Sequence, residues 1–191
     1  VEDITDGELL VDGERMNETP SIDRDMAMIF KNGKLYPQMN IYDNLAFGLK
    51  LKELPIGEID ARIAEVTQVL NIGHLLDKMT EDLDEKERAL VVLGRAIVKK
   101  PKVFLLDEPF SSLSKELKKE MQELLWSLYE KMQITVVYVT HNSEDIRHTD
   151  TRVAVMNDGS VQQIGTIGEL YDKPATPYVS EFLGVPAEEV C

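Results

Sequence analysis

Val103-Phe104-Leu105-Leu106 is a run of four apolar residues that ends directly in Asp107-Glu108-Pro109. A short continuous apolar run is the mark of a strand buried on both faces of a parallel sheet, and such a sheet needs helices to cover it. Ligands bind these sheets at the carboxyl ends of the strands, where this run delivers two carboxylates. A second run, Ile134–Val139 (ITVVYV), is β-branched and as apolar, and leads through Thr140 into His141. Between the two, Leu117, Met121, Leu124, Leu125 and Leu128 mark one face of a long helix. Strands alternating with helices specify an α/β fold with a parallel sheet.

The remaining segments fit that class. Gly7–Met16, with Asp12-Gly13 at its centre, reads as a short hairpin, and Asp25–Phe30 (DMAMIF) as a strand. Residues 32–40 read as a loop punctuated by Gly33 and Pro37, and 35–51 as an apolar-aromatic loop covering the core. Ile59, Ile63, Val66 and Leu70 share one helical face, which Asn71-Ile72-Gly73 ends, with Gly73 expected as the left-handed cap. A further helix is expected over Glu85–Lys99, stopped by Pro101. Val153–Met156 and Val161–Ile164 flank Asn157-Asp158-Gly159-Ser160, a hairpin signal, and Tyr178–Leu183 is a last short helix.

Charge narrows the function. The 191 residues carry 35 acidic and 21 basic side chains, a net charge of -14. A nucleic-acid binder needs a basic face to displace counterions, so that class is excluded, and charge-driven docking on an anionic bilayer is disfavoured. No apolar run is long enough to span a membrane, and the sole cysteine, Cys191, allows no internal disulfide. A reducing, cytoplasmic setting is the default. At the end of the first run, one carboxylate can hold Mg²⁺ through water while its neighbour polarises an attacking water; alternatively Asp107 caps the turn that follows. His141 can reach a phosphate beside that pair, or can be an ordinary hydrogen-bonded residue at a strand end.

Several long strings occur together and in order: DRDMAMIF, LYP, IYDNLAFGLKL, GRAIVKKPKVFLLDEP, YVTH, VMNDG, QQIGT and ELYDKPA. On these, nearly the whole chain resembles the ATPase subunit of ABC importers of the maltose and oligosaccharide type. The resemblance implies a P-loop NTPase sheet with a helical subdomain over about 52–100, the whole of 1–191 being one such domain, incomplete at its N-terminus. It implies ATP and Mg²⁺ as cofactors. Asp107 matches the Mg²⁺-coordinating aspartate, Glu108 the glutamate that activates water, and His141 the histidine facing the γ-phosphate. Lys31 and Ser114 stand at two further cofactor-binding positions. Residues 35–51 match the segment that meets the membrane permease, with Tyr36, Pro37, Met39 and Tyr42 as the contacting side chains. A second ATPase subunit is the other implied partner, and the implied location is cytoplasmic, on the inner face of the membrane.

The departures from that pattern are specific. No G-x-x-x-x-G-K-[ST] occurs in the 191 residues, so the chain is expected to start just past that loop. Lys31 replaces a glutamine, and Ser111-Ser112-Leu113-Ser114 lacks a final aspartate. Leu83-Asp84-Glu85-Lys86-Glu87 stands at the Leu-Ser-Gly-Gly-Gln signature; as residues, these acids make a good solvated helix start. Two function classes follow: an importer ATPase subunit driving solute uptake, most consistent with a sugar, or a non-catalytic relative acting as a binding or assembly module. Turnover by this chain unaided is not expected. The resemblance also puts an interior strand between 134–139 and 152–156 that the chain lacks. The expected remedy is direct pairing of these two segments, or a strand supplied from elsewhere in the chain.

Overall fold

The computed structural model describes residues 4–31, 33–132, 134–146 and 151–185. The chain divides into two compact units, 1–139 and 140–191. The first opens with a hairpin of β1 (Leu10–Val11) and β2 (Glu14–Arg15). A three-stranded parallel sheet follows, in which β4 (Val103–Asp107) lies between β3 (Met26–Ile29) and β5 (Thr135–Val139). Met26, Val103 and Thr135 are in register, as are Ile29, Leu106 and Tyr138. This is the expected α/β architecture.

Three helices run between β3 and β4: α1 (Ile41–Leu51), α2 (Ile56–Leu70) and α3 (Glu85–Ile97). α4 (Lys115–Met132) connects β4 to β5. One face of the sheet, with Ala27, Ile29, Phe104 and Leu106, is buried in the same core as Leu45 and Leu49 of α1, Ile63 of α2, Leu93 of α3 and Met121 and Leu125 of α4. The opposite face leaves Met28 and Val137 about half exposed, at 46% and 47%.

Residues 41–51, read as loop from sequence, form α1. Asn40 is its cap: the side-chain carbonyl accepts from Asp43 N at 2.8 Å. Ile41, Asn44, Leu45 and Leu49 then fall on one buried face. The polar Asn44 inside that stripe hid the period. The left-handed residue that ends α2 is Asn71, with φ 54°, and not Gly73, which opens a 3₁₀ turn. Asparagine tolerates this conformation almost as glycine does, so the helix stops two residues earlier.

The second unit is a hairpin of β6 (Arg152–Asn157) and β7 (Ser160–Thr166) with two short helices, α5 (Ile167–Asp172) and α6 (Pro177–Leu183). Val155, Leu170, Val179 and Leu183 form its own small core. Among the described residues β5 pairs with β4 alone and β6 with β7 alone, so the expected pairing of 134–139 with 153–156 is not made. The hairpin expected from Asn157-Asp158-Gly159-Ser160 is formed. Asp158 and Gly159 take φ 47° and 75°, the two positive values of a tight hairpin turn, so β6 finds its partner across two residues.

Candidate functional site

The parallel register builds the site. Because Ile29 lies opposite Leu106, the residues that follow β3 and β4 emerge at the same edge of the sheet. Lys31 and Glu108 meet there, Nζ to Oε2, at 2.8 Å. The lysine is more than half exposed and the glutamate about one-fifth, so the pair contributes about 0.2–1 kcal/mol and a better partner for either group can break it.

Glu108 is held in an uncommon backbone state, φ 46°. An L-residue in this region costs about 1–2 kcal/mol. The surroundings impose it: Glu108 N donates to Val139 O at 3.0 Å, and Glu108 O accepts from Ser111 N and Ser111 Oγ at 3.2 and 3.1 Å. Stored backbone strain of this kind gathers at sites that must present a side chain in one direction.

Asp107, the last residue of β4, is half-buried, and its carboxylate makes no hydrogen bond or ion pair among the described residues. The alternative in which it caps the following turn is therefore not what the structure contains. The cap of α4 comes instead from Ser114, whose Oγ accepts from Leu117 N at 3.3 Å. No group of three or more His, Cys, Asp or Glu able to hold a metal occurs among the described residues.

The acidic stretch at 84–87 forms a capping box. Asp84 accepts from Glu87 N at 2.7 Å, and Glu87 accepts from Asp84 N at 3.0 Å. The bond from the Asp84 backbone, then the Lys78 ammonium at 3.0 Å, hold the Glu87 carboxyl below its usual range. These residues start α3 as solvated acids at a helix N-terminus.

Around the loop that precedes α1, Tyr36 and Pro37 are exposed and Met39 and Tyr42 half-buried. The Tyr36 ring lies 4.7 Å from that of Phe47, and the Arg95 guanidinium sits 5.1 Å from its centroid. Tyr42 donates its hydroxyl to Asp60 of α2, a bond that raises its pKa. Sequence reasoning missed Asn44, which is fully buried and holds this loop by four hydrogen bonds. Its Oδ1 accepts from Tyr36 N at 2.8 Å, and its Nδ2 donates to the carbonyls of Tyr36, Met39 and Asn40. A lone amide inside the apolar stripe of α1 was the available signal.

His141 belongs to the second unit. It is exposed, in a turn where Thr140 Oγ1 donates to Asp145 Oδ2 at 2.6 Å and Asn142 N donates to Thr140 Oγ1 at 3.0 Å. The first unit thus brings Lys31, Asp107 and Glu108 to one sheet edge, with Ser114 at the start of the next helix.

The sequence profile described as ABC transporter matches residues 1–111, more than half of the chain. The chain belongs to the ABC transporter family. Relatives in this family run almost its full length. The uncharacterized ABC transporter ATP-binding protein YurJ of Bacillus subtilis is 41% identical over 186 residues, 97% of this chain and 51% of YurJ. The oligosaccharides import ATP-binding protein MsmX of the same organism is 42% identical over 187 residues, 98% of this chain and 51% of MsmX. The putative uncharacterized ABC transporter ATP-binding protein YcjV of Escherichia coli K12 is 42% identical over 187 residues, again 98% of this chain and 52% of the relative. The chain spans about half the length of the curated relatives it matches. Membership in the ABC family implies nucleotide binding, and the described helices include none long and apolar enough to cross a membrane. The Asp107 carboxylate suits the Mg²⁺ that accompanies a nucleotide. No Gly-x-x-x-x-Gly-Lys-Ser/Thr phosphate-cradling run occurs in the 191 residues.

Proposed function

We propose that this protein is an ATP-binding subunit of an ABC importer, acting at the cytoplasmic face of the membrane on permease subunits, with an oligosaccharide as the transported solute. In this reading Asp107 holds Mg²⁺ and Glu108 orients the attacking water. His141 faces the γ-phosphate, and Lys31 and Ser114 stand beside the nucleotide. Tyr36, Pro37, Met39 and Tyr42 meet the permease, and a second ATPase subunit completes the assembly. The solute is suggested by the printed name of MsmX, 42% identical over 98% of this chain.

The 191-residue chain on its own is proposed to rest in an inactive state. The observation that carries this is that no Gly-x-x-x-x-Gly-Lys-Ser/Thr run occurs in the 191 residues; the Lys31–Glu108 ion pair occupies the Glu108 carboxylate only weakly. Without a cradle for the phosphates, a base has no positioned target. A phosphate-release assay with Mg-ATP tests it. Release at the uncatalysed background is expected for the chain, for Lys31→Gln and for Glu108→Gln alike. Turnover by the unaltered chain that Glu108→Gln abolishes would overturn the resting-state reading.

A further inference from the structure

The ion pair at the carboxyl edge of the sheet joins a fixed group to a movable one. Glu108 is fixed: its backbone, at φ 46°, donates from N to Val139 O, and its carbonyl accepts from Ser111. Its side chain is about one-fifth exposed. Lys31 stands two residues past the end of β3 with its side chain more than half exposed, and among the described residues its ammonium bonds Glu108 Oε2 alone. Asp107, the residue before Glu108, keeps a half-buried carboxylate with no hydrogen bond or ion pair among the described residues. Two consecutive carboxylates thus differ: the second carries a cation supplied by the chain itself, and the first carries none.

An ammonium and a divalent metal ion seek the same oxygens. Mg²⁺ takes hard oxygen ligands in a compact shell, commonly from one or two carboxylates. A lysine head has three donors and no acceptor, so it can occupy a carboxylate but cannot ligate a metal. A doubly charged ion on Asp107 repels an ammonium held on the next residue. The pair is weak and Lys31 sits on a flexible four-carbon stem, so the metal displaces the ammonium and not the reverse.

We propose that Lys31 competes with the divalent cation that Asp107 holds: its ammonium covers Glu108 until the metal binds, and metal binding releases it. This rests on the reading of Asp107 as the metal's ligand. Lys31 then sets the metal's affinity, and arrival of the metal and release of the Glu108 carboxylate become one event.

Mn²⁺ is the probe, its binding to the 191-residue chain read by paramagnetic resonance of the unbound ion, without nucleotide. A chain of charge -14 gathers Mn²⁺ diffusely, so each variant is paired with its Asp107→Asn counterpart and the difference is compared. Lys31→Met, neutral and without a ligating oxygen, should tighten the Asp107-dependent binding about three- to tenfold. Lys31→Arg, which keeps the charge, should not tighten it. Lysine acetylation read by mass spectrometry gives a second measure: Mn²⁺ should speed acetylation of Lys31 about twofold or more relative to exposed Lys119 of α4, and should not do so in Asp107→Asn. Equal Asp107-dependent affinity in the unaltered chain and Lys31→Met, tightening by Lys31→Arg as large as by Lys31→Met, or acetylation of Lys31 indifferent to Mn²⁺ would overturn the proposal while leaving Asp107 as the metal's ligand. Mn²⁺ binding that Asp107→Asn leaves unchanged in every variant would overturn it together with the reading on which it rests.

Discussion

Asn44→Leu is expected to lower folding stability by about 3 kcal/mol or more, measured as the shift in urea unfolding. The side chain is fully buried and its amide meets one backbone N–H and three carbonyls of the 36–40 loop. Leucine has a similar size, so the loss is one of partners and not of volume. Tyr36 N and Met39 O lose the partner that the Asn44 amide gives them, while the carbonyls of Tyr36 and Asn40 keep the bonds they accept from Met39 N and Asn44 N. Asn44→Asp separates these effects. It keeps an acceptor for Tyr36 N but turns an oxygen toward the three carbonyls, and should be as damaging as leucine near neutral pH. A stability within about 1 kcal/mol of the unaltered protein for both variants would show that the loop does not depend on this amide.

Phe104→Ala should cost about 3–5 kcal/mol, the range for truncating a buried aromatic. Phe104 is 2% exposed, the second residue of the central strand, beside Leu93 and Ile97 of α3 and Leu125 and Leu128 of α4. Its loss removes the contact that seats β4 against both helices, and β4 is the strand that carries Asp107 and Glu108. Met28→Ala, on the opposite face of the sheet and 46% exposed, should cost under about 1 kcal/mol. Thermal or urea unfolding of the two variants side by side decides it; equal losses would contradict the placement of the core on one face.

Most of this fold was legible because its strands are short, apolar and bounded. Val103–Leu106 and Ile134–Val139 read as strands from composition alone, and both are. The 41–51 helix was not legible, since Asn44 interrupts its apolar stripe and only the loop it binds explains an amide there. The hairpin of β6 and β7 was legible from Asn157-Asp158-Gly159-Ser160, whose Asp158 and Gly159 take the positive φ values of a tight turn. At the site, Asp107 and Glu108 announced themselves by standing at the end of a buried strand. The Lys31–Glu108 pair did not, because it joins residues 77 apart through the register of β3 and β4.

In the function proposed above, Asp107 and Glu108 supply the metal and water side of a nucleotide site, and the 191 residues hold no phosphate-cradling run. Calorimetric titration of ATP into the 191-residue chain, with and without Mg²⁺, tests it most directly. Binding should be weak, on the order of millimolar, the range of about 4 kcal/mol. It should require Mg²⁺, and should be lost in Asp107→Asn. Micromolar affinity for ATP in the absence of the metal would contradict it.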